Sequence, residues 1–174
     1  MDLYLIRHAD AVGRDDPNYS EDERPLTERG RSQARALAGA LVARGVSFDA
    51  VISSPLDRCR QTAEEMLQHM PGPMAELTFC KHLAPGGKPR KLSRHLVGIN
   101  GNSVACIGHE PDLSDFAARV MGSSKAQIEL KKAGLALLKC DSVPDKGHGV
   151  LVWLITPDWM TAPEEKAKPS VAAW

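Results

Sequence analysis

The stretch Leu3-Tyr4-Leu5-Ile6-Arg7-His8-Ala9 begins as a short apolar run and ends in an adjacent guanidinium and imidazole. Residues 3–6 have the length and composition of a buried strand, so the two polar side chains would lie where that strand ends. Ligands of open α/β sheets bind beyond the carboxyl ends of the strands. A cation beside a nitrogen nucleophile suits a phosphoryl group, although Arg7-His8 taken alone fits a merely polar strand end equally well.

The composition favours one compact domain without a bulk electrostatic partner. Of the 174 residues, 43% are hydrophobic, and the sum of Lys and Arg equals the sum of Asp and Glu, at 22 each. The chain therefore has no net charge that would attract nucleic acid or an anionic membrane. No apolar stretch reaches the ~20 residues of a membrane span, and a strand beginning by Leu3 leaves no room for a signal peptide. We therefore expect a soluble cytoplasmic protein with no nucleic-acid or membrane partner.

Several phosphate and metal motifs are missing from the sequence. The four cysteines have neither the Cys-x-x-Cys nor the Cys/His spacing of a zinc site, and none begins the Cys-x5-Arg loop of cysteine-dependent phosphatases: Cys59, Cys80, Cys106 and Cys140. Gly87-Lys88 lacks the flanking residues of a nucleotide P-loop. We expect reduced cysteines and no nucleotide site.

Strand-like runs alternate with helical periodicity. Strands are predicted at 3–6, 50–52 and 104–107, each followed by a helix, which implies a largely parallel sheet. The predicted helices run from a Thr27 cap toward Gly45, from a Ser54 cap with Pro55 at the first position to Pro71, over 92–97, and from Pro111 to Gly122. Two late strands, 135–139 and 150–155, form an antiparallel pair, and a tail follows Thr156.

Three of the predicted strand-to-helix junctions contain groups that bind phosphate. The first contains Arg7 and His8, the second places Arg58 in the first turn of a helix, and the third places His109 before a helix start. Carboxyl ends of parallel strands share one edge of the sheet, so two histidines and two arginines are expected to converge there.

These motifs resemble the histidine phosphatase superfamily, whose first strand ends in Arg-His-Gly, whose second junction contains Ser-Ser-Pro-x-x-Arg and whose later strand ends in Gly-His. Residues 24–30 are also similar to its Leu-Thr-x-x-Gly element, and the resemblance covers roughly residues 2–156. It implies a three-layer phosphoglycerate mutase-like α/β fold, with a mostly parallel central sheet, an antiparallel strand and helices on both faces. The catalytic domain would span 1–156 and the tail 157–174.

The resemblance also implies the site. His8 would be the nucleophile that forms a phosphohistidine intermediate, and Arg7, Arg58 and His109 would clamp the phosphoryl oxygens. It implies no metal and no cofactor, with phosphate or sulfate as fitting occupants. The arginines should keep His8 neutral by repulsion, and His109 is expected to be a protonated donor.

The sequence departs from better-known members of the superfamily in two ways. Ala9 replaces glycine, and its methyl is expected to restrict how near the backbone comes to the ligand. The Leu-x-Glu-x-x-x-Gly segment that supplies an acid in phosphoglycerate mutases has no match in residues 77–87. An imidazole leaves with a reference pKa of about 6.5 and needs that acid far less than an alkoxide does.

The missing acid and the short chain resemble the SixA-type protein phosphohistidine phosphatases. That resemblance implies a phosphorylated histidine phosphotransfer domain or another phosphoprotein as partner, in phosphorelay signal transduction. Two alternatives stay open: a small-molecule phosphomonoesterase and a non-catalytic phosphate- or phosphoprotein-binding module. Glu110, next to His109, is either a proton donor like that of the acid phosphatase branch or a negative charge at a helix start, and Asp10 either orients Arg7, faces water or donates a proton.

Other polar and aromatic residues receive structural interpretations. Lys131-Lys132 and the run 88–91 are expected to be solvated, although the run could also rim the site and meet an acidic partner. His69, His82, His95 and His148 are assigned no catalytic role. Trp153 is predicted in the core, with Trp159 and Trp174 in the tail.

Overall fold

Six strands and four helices follow one another in the computed structural model, which describes residues 1–160. The strands are β1 (Asp2–Arg7), β2 (Ala50–Ser53), β3 (Glu76–Phe79), β4 (Ser103–Gly108), β5 (Leu135–Cys140) and β6 (Gly149–Ile155). The helices are α1 (Glu28–Val42), α2 (Asp57–Gln68), α3 (Pro89–Val97) and α4 (Asp112–Val120). Most of the predicted tail, with Trp174, lies outside the described residues.

One sheet of order β3-β2-β4-β1-β5-β6 organises the molecule. Strands β3, β2, β4 and β1 pair in parallel, whereas β5 is antiparallel to both β1 and β6. The register places Arg7 opposite Gly108 and Ser53 opposite Ile107, so β1, β4 and β2 end at nearly the same level. The predicted fold class is confirmed.

The layers follow from the alternation of side chains along the central strands. Leu3 and Leu5 of β1 pack in a cluster that includes Phe116 of α4 and Leu96 of α3. The intervening Tyr4 and Ile6 pack in the opposite cluster, with side chains of α1 and α2. Helices therefore cover both faces of the sheet, and their first turns approach its carboxyl edge.

The boundaries of α1 and α4 agree with the prediction, whereas α3 begins at Pro89 rather than at Leu92, and α2 differs at its start. Thr27 caps α1, since its Oγ1 accepts the Gly30 amide at 3.0 Å, and α1 ends before Gly45, whose φ is +68°. Helix α2 begins at Asp57 without a side-chain cap, so the predicted cap at Ser54 is wrong. The side chain of Ser54 is fully buried and bonds elsewhere, as described below.

Strand β3 and residues 157–159 lie at the periphery of the fold. Strand β3 was not predicted, because its four residues form a half-exposed edge without a continuous apolar run. Residues 157–159 form a 3-10 turn in which Trp159 is exposed, so the boundary at 156 stays a prediction.

Within residues 1–160, no helix is long and apolar enough to cross a membrane, and all four cysteines are free and buried.

Candidate active site

The site lies at the carboxyl edge of the sheet, where three neighbouring strands end. The His8 amide donates to the Gly108 carbonyl at 3.0 Å, and the Ser54 amide donates to the Ile107 carbonyl at 2.9 Å. These bonds extend the parallel pairing one residue beyond the strands. The structure thereby brings the rings of His8 and His109 together, with 5.1 Å between their centroids.

His8 is held as a neutral imidazole with a defined tautomer. Its ring is buried, and Nδ1 lies 2.8 Å from the Ala9 carbonyl oxygen. Because a carbonyl only accepts, Nδ1 carries the hydrogen and Nε2 keeps its lone pair. Burial, opposed by this bond and aided by the charges of Arg58 and Arg7, lowers the pKa of His8 to about 4. His8 is thus unprotonated at neutral pH, as a nucleophile requires.

Two arginines beside His8 have buried N–H groups without an acceptor. Arg58 is 1% exposed; its Nη1 donates to the Glu21 carbonyl at 2.7 Å and its Nη2 to the Glu21 carboxylate at 3.0 Å. Arg7 donates through Nη1 to the Leu130 carbonyl at 2.9 Å. The Nε atoms of both arginines find no partner among the described residues. A buried donor without an acceptor is costly, and an oxyanion would satisfy both.

A hydrogen bond to Ser54 holds the ring of His109 in place. Its Nε2 lies 2.9 Å from Ser54 Oγ and 3.3 Å from Cys59 Sγ. The Leu56 amide donates to the same hydroxyl at 3.4 Å, and the Cys59 thiol donates to the Gly108 carbonyl at 3.6 Å. Burial, with the charges of His8 and Arg58, lowers the pKa of His109 to about 3. The imidazole of His109 is therefore neutral in the unliganded pocket, and its protonation beside a bound phosphate, whose negative charge raises the pKa, stays a prediction.

Arg24 and Thr62 belong to the same cluster, and the sequence analysis did not single them out. Arg24 is buried; it donates to the Val12 carbonyl at 2.6 Å and twice to the Glu21 carboxylate, which it shares with Arg58. Thr62 Oγ1 accepts the Ala9 amide at 3.1 Å and donates to the Arg58 carbonyl at 2.6 Å. Arg24 begins the 24–30 element and Thr62 lies one helical turn after Arg58, so proximity to these motifs was the available signal.

Lys132 lies on a solvated face, as predicted, and it also bonds a carboxylate near the site. Its Nζ donates to Asp10 Oδ1 at 2.6 Å and its charge reaches His8. The other oxygen of Asp10 accepts from Thr27 Oγ1, so Asp10 does not orient Arg7. Although burial opposes them, these bonds lower the pKa of Asp10, which makes it unsuitable as a proton donor. Lys132 is far away in sequence, and no local signal predicted this pair.

Glu110 and Ala9 face away from open space. Glu110 Oε2 accepts from Ser114 Oγ at 2.5 Å, one turn into α4, and Oε1 is buried without a partner among the described residues. Burial raises the pKa of Glu110. Ala9 is fully buried in a small cluster with Ala11 and Leu26, so its methyl does not narrow the approach to the ligand as expected.

An open groove of about 650 Å³ adjoins the cluster. Its lining comes from three loops: Arg14, Glu21, Asp22, Pro55, Leu56, Ala84 and Pro85. In the part of the chain that the structure describes, no group of three or more histidine, cysteine or acidic side chains is placed to hold a metal ion. The arrangement presents a neutral imidazole among cations, which suits phosphoryl transfer.

Known proteins share this architecture and these motifs. A family model described as the histidine phosphatase superfamily (branch 1) matches residues 3–83. An uncharacterized protein of Picosynechococcus is 33% identical over 92% of this chain and 99% of its own length. A broad-specificity phosphatase of Saccharomyces cerevisiae is 36% identical over 87% of this chain and 69% of its own.

A solved structure of the protein histidine phosphatase SixA complexed with tungstate superposes with a TM-score of 0.80. It is 25% identical, and the match covers 92% of this chain and all of that one. Sequence and fold agree: the chain belongs to the histidine phosphatase superfamily.

Proposed function

We propose that this phosphatase removes phosphate from phosphohistidine on a protein, with His8 as nucleophile and without a metal or cofactor. One observation carries the proposal: a neutral His8, with its free Nε2, lies beside two arginines that each have a buried, unpartnered Nε–H. We assign the chemistry to residues 1–156, and the partner to a phosphorylated phosphotransfer domain or a similar phosphoprotein.

The reaction has two displacement steps at phosphorus. Nε2 of His8 forms a bond to phosphorus while the bond from phosphorus to the substrate nitrogen breaks; that nitrogen keeps the electron pair, and because the other nitrogen of the substrate ring carries a proton, the leaving group is a neutral imidazole. Arg7, Arg58 and a ring N–H of His109 donate to the phosphoryl oxygens, where charge accumulates. The Nδ1–H bond to the Ala9 carbonyl stabilises the phosphorylated imidazolium of His8. Water then displaces His8, which releases inorganic phosphate.

The carboxylates around the site favour an imidazole as leaving group. Asp10 and Glu21 bond to cations and have lowered pKa values, so neither holds a proton at neutral pH. Glu110 is tied to α4 through Ser114. An alkoxide needs a proton from such a group, whereas a histidine nitrogen leaves with less assistance. The open groove beside Glu21 also supports a substrate as large as a protein.

A small-molecule phosphoester is the second candidate, and Glu110 favours it. This carboxyl is half-buried next to His109 and its pKa is raised, as a general acid requires. The yeast relative, named a broad-specificity phosphatase, points in the same direction. Rotation of Glu110 away from Ser114 would be needed before it could protonate an ester oxygen.

Hydrolysis rates separate the candidates. Wild type, His8→Ala, Glu110→Gln and the control His148→Ala, in which an exposed loop histidine is removed, are assayed on a phosphohistidine domain and on sugar and nucleotide monophosphates. We expect turnover of the phosphohistidine domain, with acid-labile labelling of the protein, by every variant except His8→Ala. Ester hydrolysis alone, abolished by Glu110→Gln, would contradict the phosphohistidine assignment. Binding without any turnover would leave the binding-module alternative.

A further inference from the structure

A row of positive side chains on and before α3 takes no part in the chemistry proposed above. Its five members are exposed: Lys81, Lys88, Arg90, Lys91 and Arg94. Residues 80–98 contain no aspartate or glutamate, although the whole chain has equal numbers of positive and negative residues. Among residues 1–160, none of the five lies within 4.0 Å of a carboxylate. This positive charge is therefore left unneutralised on one surface.

The row borders a groove of about 470 Å³ between α3 and α4. We call this the basic groove; its lining is Lys88, Pro89, Arg90, Lys91, Arg94 and Arg119. Its floor is fixed, because Asp145 accepts from both Arg119 at 2.6 Å and Ser93 at 3.3 Å. Leu92 and Leu96 anchor α3 in the core, which leaves its cations on the outer face.

The arrangement of the cations is unfavourable for the isolated chain. Arg90 and Arg94 are one helical turn apart, where like charges destabilise a helix. Burial together with the charges of Lys91 and Lys81 lowers the pKa of nearby His82, so the positive field extends beyond single side chains. An acidic ligand would relieve this repulsion. The positive side chains would attract it over a distance of about one Debye length, which shortens as the salt concentration rises.

One loop joins the basic groove to the candidate active site. Ala84 and Pro85 line the open groove beside Glu21, and Lys88 and Pro89, a few residues on, line the basic groove. The Gly86 amide donates to Asp112 Oδ2 at 3.0 Å, which ties the loop to the first turn of α4. A polypeptide held at the site thus needs to extend only past residues 84–89 to reach the cations.

We propose that the basic groove docks an acidic segment of the same protein whose phosphohistidine reaches His8. This inference rests on the proposed function. The occupant is a polypeptide because the neighbouring site is proposed to act on a protein. It is acidic because the exposed cations of α3 and the residue before it have no carboxylate within 4.0 Å among residues 1–160: Lys88, Arg90, Lys91 and Arg94. Docking would raise the association rate for acidic substrates and would weaken as ionic strength rises.

Two synthetic phosphohistidine peptides test the proposal, one flanked by glutamates and the other by glutamines. At low salt, wild type should hydrolyse the glutamate peptide with about tenfold higher kcat/KM. The double variant Arg90→Glu/Arg94→Glu should remove that preference and leave the glutamine peptide and phosphoramidate within about twofold of wild type. Arg44→Glu/Lys125→Glu, with the same charge change at exposed sites outside α3, should keep the preference.

Three results would overturn the inference. The first is that wild type hydrolyses the two peptides at equal rates, and the second is that the charge-reversed variant loses equal activity on both. The third is that a labelled oligonucleotide binds the groove and neither peptide displaces it. If no phosphohistidine peptide is hydrolysed, the proposed function fails by itself. Fluorescence anisotropy of a labelled glutamate peptide without phosphate, with wild type and Arg90→Gln/Arg94→Gln, then still decides whether the groove binds acidic chains.

Discussion

Acidification should destabilise this protein through its two site histidines. His8 and His109 have pKa values lowered to about 4 and about 3 in the folded pocket, against about 6.5 in an unfolded chain. The unfolded chain therefore binds more protons than the folded one once the pH drops below 6.5. The stability that these neutral histidines contribute is fully present above pH 6.5, and it is lost as the pH falls toward their pKa values in the folded protein.

The loss is large relative to the stability of a domain. Both rings are nearly inaccessible, 8% and 3% exposed, so solvent screens these shifts little. Between pH 7 and pH 5 each histidine should remove about 2 kcal/mol from the free energy of unfolding. Domains of this size have roughly 5–15 kcal/mol in total. Since the charge of His8 contributes to the lowered pKa of His109, removing His8 should reduce the pH-dependent loss by slightly more than the share of His8 alone.

Urea unfolding at pH 7 and pH 5 measures this linkage. His8→Asn should lose about 2 kcal/mol less than wild type over that interval, whereas His148→Asn, at an exposed loop histidine, should behave as wild type. Phosphate should reduce the wild-type loss, because its negative charge raises the pKa of both rings. An identical pH dependence in His8→Asn and wild type would refute a buried neutral imidazole at this position.

Three substitutions probe the donors around the pocket. Arg58→Ala should lower kcat/KM for phosphoramidate roughly 10²–10³-fold, and a decrease of less than threefold would exclude it from the oxyanion clamp. Ser54→Ala should remove the bond that orients the His109 ring and lower kcat by about tenfold, with Ser54→Thr restoring most of the rate; equal losses in both variants would contradict this orienting role. Thr62→Val leaves the Ala9 amide unsatisfied and should cost about 1–3 kcal/mol in urea unfolding, so unchanged stability would count against that bond.

Local sequence signals were sufficient to predict the framework of the site. The apolar runs before His8 and His109 specify buried strands, and a parallel sheet brings their ends to one edge. The resemblance supplied the residue roles, which remain proposals. The strand order, with β4 between β1 and β2, follows from long-range packing and was not predicted from periodicity.

Contacts across long sequence separations account for what was missed. Ser54 has the sequence signature of a helix cap, yet it is buried just after the end of β2, where its hydroxyl bonds His109, 55 residues away. Lys132 and Asp10 are 122 residues apart and meet because β5 lies beside β1. The protonation of His109 depends on burial, which a motif does not specify.

The unliganded pocket is electrostatically unbalanced, and the imbalance favours catalysis. Glu21 neutralises part of the charge of Arg58 and Arg24, while the buried Nε–H groups of Arg58 and Arg7 have no acceptor among the described residues. Burial, aided by the charges of Arg58 and Arg7, keeps His8 neutral, as the proposed nucleophile must be before substrate arrives. A phosphoryl group in transfer spreads negative charge over its equatorial oxygens and satisfies those donors best at that moment. Because the donors are already fixed by the fold, their stabilisation is greater for the transition state than for the bound substrate, and it lowers the barrier.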